Sequence, residues 1–560
     1  MQSGTPVAEA AGETNDYFST SEYAENIWSD HADTSWYDSN KDASVYTINT
    51  ASELAGLAVL VTKQDVDFSG KTIQLGRDID LKGHQWFPIG CDVDNYWMSS
   101  PFRGTFDGRG HTIRNLHIKN SWHGQALFGY AEDATIENFT VSGSVTTGWQ
   151  AAGVIAEMER TQLLNITNYC DVKTLFKSGD NGYSSTAGGI VAYVADTYVT
   201  RNGAHASSLT NLKNYGSVEC AGITEQGGGV GGIAGSLLVS DDDQTITVSQ
   251  CENYGDVYCK ASNYNDIYAK GTGGIVGSTA TYGNYQISDS ANHGSVASAN
   301  LASTGGVVGS LSGLSSSVSY CYNSGSVEGQ SPESAASTGG IVGRSVASHT
   351  GSTQLDLVSC YNVGKVTGRG GNVSAILGAQ SGYGEDWEDN AGGTTVNNVS
   401  NYYAEDSVST SSQTGVLFQS GMVEAAQPVS MDRINSQEVI DDLNSTDEKQ
   451  DHYAEGKTSP KLDLKSSTDV GLDKSSKSGE GAEEDTTISE DNPAEQKETH
   501  MYEIQADQSD SVLSQINANL TIVVLVLVVL LLIAASVIYQ LGDYRKQKRK
   551  LKAVARLQRG

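Results

Sequence analysis

Carboxylates are the residues of this chain best suited to chemistry, and most of the isolated ones stand near the start of its regular part. Asp78 and Asp80 lie two apart in KTIQLGRDIDL, so a strand would put both on one side; Asp107 lies in FDGRG, and Asp92, Asp94 and the run Asp241–Asp243 complete the set. Clustered carboxylates on one sheet face can hold calcium, or divide the roles of acid and base in cleaving a sugar linkage. Turn and cap duties explain such aspartates as readily, and Asp241–Asp243 reads as a solvated loop. The chain has no Cys-x-x-Cys or Cys/His ligand spacing, nucleophile elbow, phosphate-cradling loop or nucleotide fingerprint. Asp78 and Asp80 come closest to a catalytic pair, but the expectation is no catalytic residue, no metal and no cofactor.

The elements that position these residues are written in two recurring fragments. Asn-x-Gly-x-Val returns with its glycines at Gly216, Gly255, Gly294, Gly325 and Gly364, a period of about 39 residues with one short unit. Gly-Gly-Ile-Val-Gly and its variants interleave with it at 188–192, 231–235, 273–277, 305–309 and 339–343, with Gly274, Gly306 and Gly340 as recurrent second glycines. Sixty-two glycines against 7 prolines fit tight turns between short strands, and a fixed period of this length marks a stacked repeat array. The fold class expected is all-β, a parallel β-helix of about eight turns. Asn214, Asn253, Asn292, Asn323 and Asn362 would stack as an amide ladder, each beside a Gly able to take a left-handed conformation. Strict alternation in the Gly-Gly-Ile-Val-Gly strand would turn Ile190, Ile233, Ile275, Val307 and Ile341 inward. Val191, Ala234, Val276, Val308 and Val342 would then face outward, as an apolar stripe covered by loops or open to a lateral partner.

Charge divides the chain further. A net charge of −32 excludes nucleic acid as a partner of the soluble part. Leu520–Tyr539 carries no charge over twenty residues, long enough as a helix to cross a bilayer, and Arg545, Lys546, Lys548, Arg549, Lys550, Lys552, Arg556 and Arg559 follow it. That asymmetry predicts a single membrane span with the repeats outside and the C-terminus in the cytoplasm. The start of the chain has neither a basic nor an apolar stretch, so an export signal is expected to have been removed. Cys251, Cys321 and Cys360 share one repeat position with Ser290 and Leu212, which predicts buried free thiols.

The organisation read from these signals has seven parts. A polar segment covers 1–45. An N-terminal cap and first strands fill 46–101, with a short helix over 51–63 opened by a Thr50/Glu53 capping box. The repeats run from 102 to 403. A C-terminal cap follows at 404–465, with a short helix at 436–444. A disordered acidic linker occupies 466–518, the transmembrane helix 519–540 and a basic tail 541–560.

The repeats resemble the GLUG-motif family of bacterial surface proteins. The resemblance rests on the Gly-Gly-Ile-Val-Gly and Asn-x-Gly-x-Val copies, on Ala126–Tyr130 (ALFGY), and on the lead-in from YTINTASELAGLAVLV to FRGTFDGRGHTI at 46–113, and covers about 46–465. It implies a right-handed parallel β-helix at the cell surface. The chain lacks the Leu-Pro-x-Thr-Gly sorting signal of many wall proteins and the His-Glu-x-x-His motif of metallopeptidases that carry such repeats. The function expected is display of a β-helical rod for adhesion or recognition of host or bacterial glycans or surface proteins, through Tyr- and Asn-rich loops such as 258–273 and 381–389. The alternatives are a carbohydrate-active enzyme on the same scaffold and a passive spacer.

Overall fold

The computed structural model describes residues 27–91, 100–119, 124–175, 185–196, 205–221, 228–260, 271–299, 303–330, 337–348, 353–369, 372–381, 394–408 and 426–463. By contacts the chain divides into 1–470 and 471–560; the expected linker, membrane helix and basic tail lie outside the described residues. Among the described residues no helix is long and apolar enough to cross a membrane.

The described strands form parallel sheets, with one antiparallel pair, Tyr453–Ala454 with Lys461–Leu462. One sheet has seven short strands, from Gln150–Ala152 to Asn372–Ser374. Another has eight, from Phe128–Glu132 to Leu377–Ser381, and the remaining walls belong to a 23-stranded sheet. Each strand pairs in register with its counterpart one repeat later, as Val218 with Val257 and Val257 with Val296. The chain therefore coils as a β-solenoid. The helix Ala51–Gln64 carries the Thr50/Glu53 capping box and buries Leu54, Leu57 and Val61 in the same core as the first strands.

The two fragments meet inside the coil. Asn168, Asn214, Asn253, Asn292, Asn323 and Asn362 are fully buried, and each Nδ2 but that of Asn362 donates to the Oδ1 of the next at 2.8 Å. The second glycine of each Gly-Gly faces this ladder. A Cβ on Gly232 would lie 2.2 Å from the Asn253 amide carbon, and one on Gly274 2.2 Å from that of Asn292. The corner has no room for a side chain because the amides occupy it.

Two expectations change at the turns. The glycines of Asn-x-Gly are not left-handed; Gly255 is required because a Cβ there would lie 1.9 Å from the Gly216 carbonyl oxygen on the preceding rung. The left-handed residue comes three positions before the ladder Asn and is never glycine: Asn165, Asn211, Gln250, Asp289, Tyr320 and Ser359 have φ between 49° and 56°. The exterior apolar stripe is also absent. Val191, Val276, Val308 and Val342 are fully buried, in one core with Ile190, Ile275, Val307 and Ile341. Alternation fails because the second glycine and the next residue form a bend, where the amides of Ile190 and Val191 both donate to the Ile233 oxygen, at 3.0 and 2.9 Å. Both side chains then fill the inside of the corner. The strands on either side fold so closely that a Cβ on Gly277 would lie 2.3 Å from the Val230 nitrogen.

Residues 426–463 start at the end of the coil, where Gln427–Val429 pairs in parallel with Tyr402–Ala404, and then lie along its flank. Their helix, Gln437–Asn444, buries Val439, Ile440 and Leu443 against Tyr322, Tyr361 and Tyr402 on three successive rungs. Tyr402 Oη donates to Asp442 at 2.8 Å, and Tyr453 Oη to the Ser359 oxygen at 2.9 Å. His452 stacks on Tyr320 at 3.4 Å between centroids, with Nδ1 2.5 Å from Asp289 and Nε2 3.3 Å from Asp447. Burial opposes charge on this imidazole, but the two carboxylates prevail and its pKa is raised.

Two outcomes follow. Gly274→Ala should lower stability by about 1–3 kcal/mol through overpacking, read as a drop in urea midpoint with unchanged far-UV circular dichroism. The contribution of His452 should be complete below its ordinary pKa of 6.5 and lost as pH rises through the raised folded value. Protection factors of the amides over 426–463, exchange rates corrected for intrinsic base catalysis, should therefore fall between pH 6 and pH 9, and His452→Ala should remove that fall.

Candidate functional site on the outer wall

Of the residues singled out for chemistry, Asp78 and Asp80 come together on the first coils. Asp78 precedes and Asp80 ends a short strand beside Thr105–Lys119, where Asp78 meets His111 Nδ1 at 3.3 Å and the Thr112 amide at 3.1 Å. Asp80 accepts from Asn115 Nδ2 at 2.8 Å, the Lys82 amide at 2.8 Å and Arg114 Nε at 3.3 Å. The Thr112 amide foremost, and His111 and Arg114 with it, hold the Asp78 carboxyl below its usual range; Asn115 and the Lys82 amide do the same for Asp80. Anions held this way join neighbouring rungs and are poor proton donors. Asp92 and Asp94 lie outside the described residues. In Asp241–Asp243, Asp241 caps its own turn through the Asp243 amide at 3.1 Å. Among the described residues no group of three or more His, Cys, Asp or Glu could hold a metal ion, and all seven cysteines are buried thiols outside any disulfide.

Asp107 is placed differently. The register between Thr105–Lys119 and Thr135–Thr147 slips between Asp107 and His111, so Gly108, Arg109 and Gly110 bulge from the wall, Arg109 and Gly110 with positive φ. Beside the bulge lies an open groove of about 530 Å³, lined by Asp107, Arg109, Asn138, Thr140, Asn165 and Thr167 among others. A second amide ladder, on the outside, forms one wall: Asn211 Nδ2 donates to Asn165 at 2.8 Å, Asn165 to Asn138 at 2.9 Å, and Asn138 to Asp107 Oδ1 at 3.1 Å. Its donors all point toward the carboxylate, the reverse of the inner ladder. Glu137 is the register partner of Asp107, and burial together with the Asp107 charge raises its pKa.

The residue after each ladder Asn faces outward, and four of these are aromatic. Tyr169, Tyr215, Tyr254 and His293 stack with centroids 4.7, 4.7 and 4.5 Å apart, because equivalent residues of in-register parallel strands are separated by one strand spacing. Glu252 sits beside this stack, 2.8 Å from Lys213 Nζ and hydrogen-bonded to Tyr254 Oη. Burial works against its charge, yet the bonds from His293, Lys213 and Tyr254 outweigh that and hold its pKa at about 2.

A further carboxylate went unnoticed in the sequence. Glu157 lies between Tyr130 and Tyr193 on successive rungs. Burial pushes its pKa to about 7, against a hydrogen bond from Gln150 and with help from the Glu159 charge. No pattern of residue types marks it, because its environment is made by neighbouring rungs. Asn168, by contrast, was legible in Asn-Tyr-Cys-Asp-Val at 168–172, a copy with Cys170 in place of Gly.

No protein-family model matches the chain, and no curated protein matches it. Among solved structures it is similar to a protein from Bacteroides ovatus described as a putative immunoglobulin A1 protease, at 17% identity over 75% of this chain and 93% of that one, with a TM-score of 0.40.

Glu157 supplies a test of the electrostatics. A carboxyl whose folded pKa lies above its ordinary 4.5 costs stability as pH rises from 4.5 to about 7. Glu157→Gln should leave the urea midpoint unchanged at pH 4 and raise stability at pH 8 by on the order of 2 kcal/mol.

Proposed function

We propose that this chain is a membrane-anchored bacterial surface protein of the GLUG type that displays a right-handed β-helix for adhesion or ligand recognition, with glycans as the foremost ligand class. One observation carries this reading. The inward positions of the coil are given over to packing and ladders, whereas the outward positions of its first rungs present rings, amides, hydroxyls and a guanidinium around an open groove. Rings and planar hydrogen-bonding groups on a rigid support suit recognition of hydroxyl-rich surfaces. The membrane span expected at 519–540 would hold that wall outside the cell, with the basic tail in the cytoplasm.

The second reading, a carbohydrate-active enzyme, is favoured by the Asp107/Glu137 pair. These two carboxyl groups stand one strand apart, Asp107 lining the groove, and Glu137 is pushed toward the protonated form that a general acid requires.

A panel of host and bacterial polysaccharides separates the readings when retention of the full-length protein and release of new reducing ends are scored together. Retention without release is expected, unchanged in Asp78→Asn and Asp80→Asn. Release that disappears in Glu137→Gln would replace recognition by catalysis.

A further inference from the structure

The aromatic stack stops where the groove begins. Tyr215 covers one face of Tyr169, but the register partner of Tyr169 on the preceding rung is Ser142, whose side chain is too small to cover the other. Tyr169 is 48% exposed, one of the few large hydrophobic residues exposed among the described residues. Thr167 leaves the same face of the same strand two residues earlier, about 7 Å away, and is paired with Thr140 on the groove floor.

We propose that the free face of Tyr169 and the adjoining groove form a binding site for a neutral oligosaccharide. The inference rests on the recognition function above and assigns it a place and a ligand class. A pyranose presents a C–H face that packs on an aromatic ring, and hydroxyls at its rim that need donors and acceptors alongside. Thr140, Thr167, Asn165 and Arg109 supply these at the groove. The Arg109 guanidinium pairs with no described carboxylate, and Asp107 spends only Oδ1 on the Arg109 amide and Asn138, so Oδ2 can accept from sugar hydroxyls. The same carboxylate opposes uronic or sulfated sugars by like charge. Tyr215 and Tyr254 behind Tyr169 hold its ring in place, so little side-chain freedom is lost on binding.

The full-length protein in detergent micelles would be titrated by calorimetry and saturation-transfer NMR with neutral hexasaccharides of the gluco and manno series and with a hexauronate. A neutral hexasaccharide should bind and the hexauronate should not. Tyr169→Ala should weaken binding about tenfold, a loss of about 1.4 kcal/mol, while Tyr169→Phe keeps it. Ser142→Trp, which covers the free face and leaves the stack intact, should abolish binding. Tyr282→Ala, at another exposed tyrosine, should have no effect. Equal binding by wild type, Tyr169→Ala and Ser142→Trp would overturn this site and leave the recognition function standing. Preference for the hexauronate would overturn the assigned ligand class. Binding of neither would remove glycan recognition and this site with it.

Discussion

Everything in this coil depends on a buried amide that can reach its neighbour only if the opposite wall has no side chain. Each ladder Asn is cut off from water, so both ends of its amide must be satisfied within the protein. The next Asn takes one hydrogen, and the carbonyl two residues on takes the other, as Asn253 does with Asn292 and Gly255. That arrangement fills the corner, which is why Gly232, Gly274 and their equivalents have no Cβ. A substitution on either side leaves a buried polar group unpaired or forces the rungs apart, so the two fragments must recur together.

The same closeness shapes the outside of the bend. Where the chain reverses at Gly-Gly-Ile-Val-Gly, the outer faces of consecutive strands touch through glycine, and on the first rungs through Ala126, Ala152, Ala156 and Ala192. The apolar residues of the bend are thereby turned wholly inward. The aromatic surface that remains is treated in two ways along the coil. Toward the C-terminus Tyr322, Tyr361 and Tyr402 lie beneath residues 426–463, held by apolar contact and by a histidine between two carboxylates. Toward the N-terminus the stack from Tyr169 to His293 has no such cover from the described residues, and its first ring ends on an open face beside polar groups.

The contrast among the carboxylates shows how position on the coil decides chemical character. Asp78 and Asp80 lie at the surface with amides and cations around them, and stay anionic. Glu137 and Glu157 stand partly buried between neighbouring rungs with other acids close, and both are driven toward the protonated form. Asp78 and Asp80 were visible as an alternating pair in the sequence. The two glutamates were not, since nothing in their own strands distinguishes them from solvated residues.

By itself the sequence determined the repeat, the parallel stacking, the helix over 51–63 and the inner ladder. The physical reason is that in-register stacking places each residue against its own counterpart, so a periodic text describes its own contacts. Asn214 meets Asn253 because both hold the same place in the period. The tertiary structure alone decided what depends on bends or on unlike residues. Val276 and Val308 point inward because a two-residue bend resets the alternation. His452 meets Asp289 across 163 residues with no pattern to announce it. Tyr169 offers a free face only because Ser142, and not another ring, occupies the rung before it.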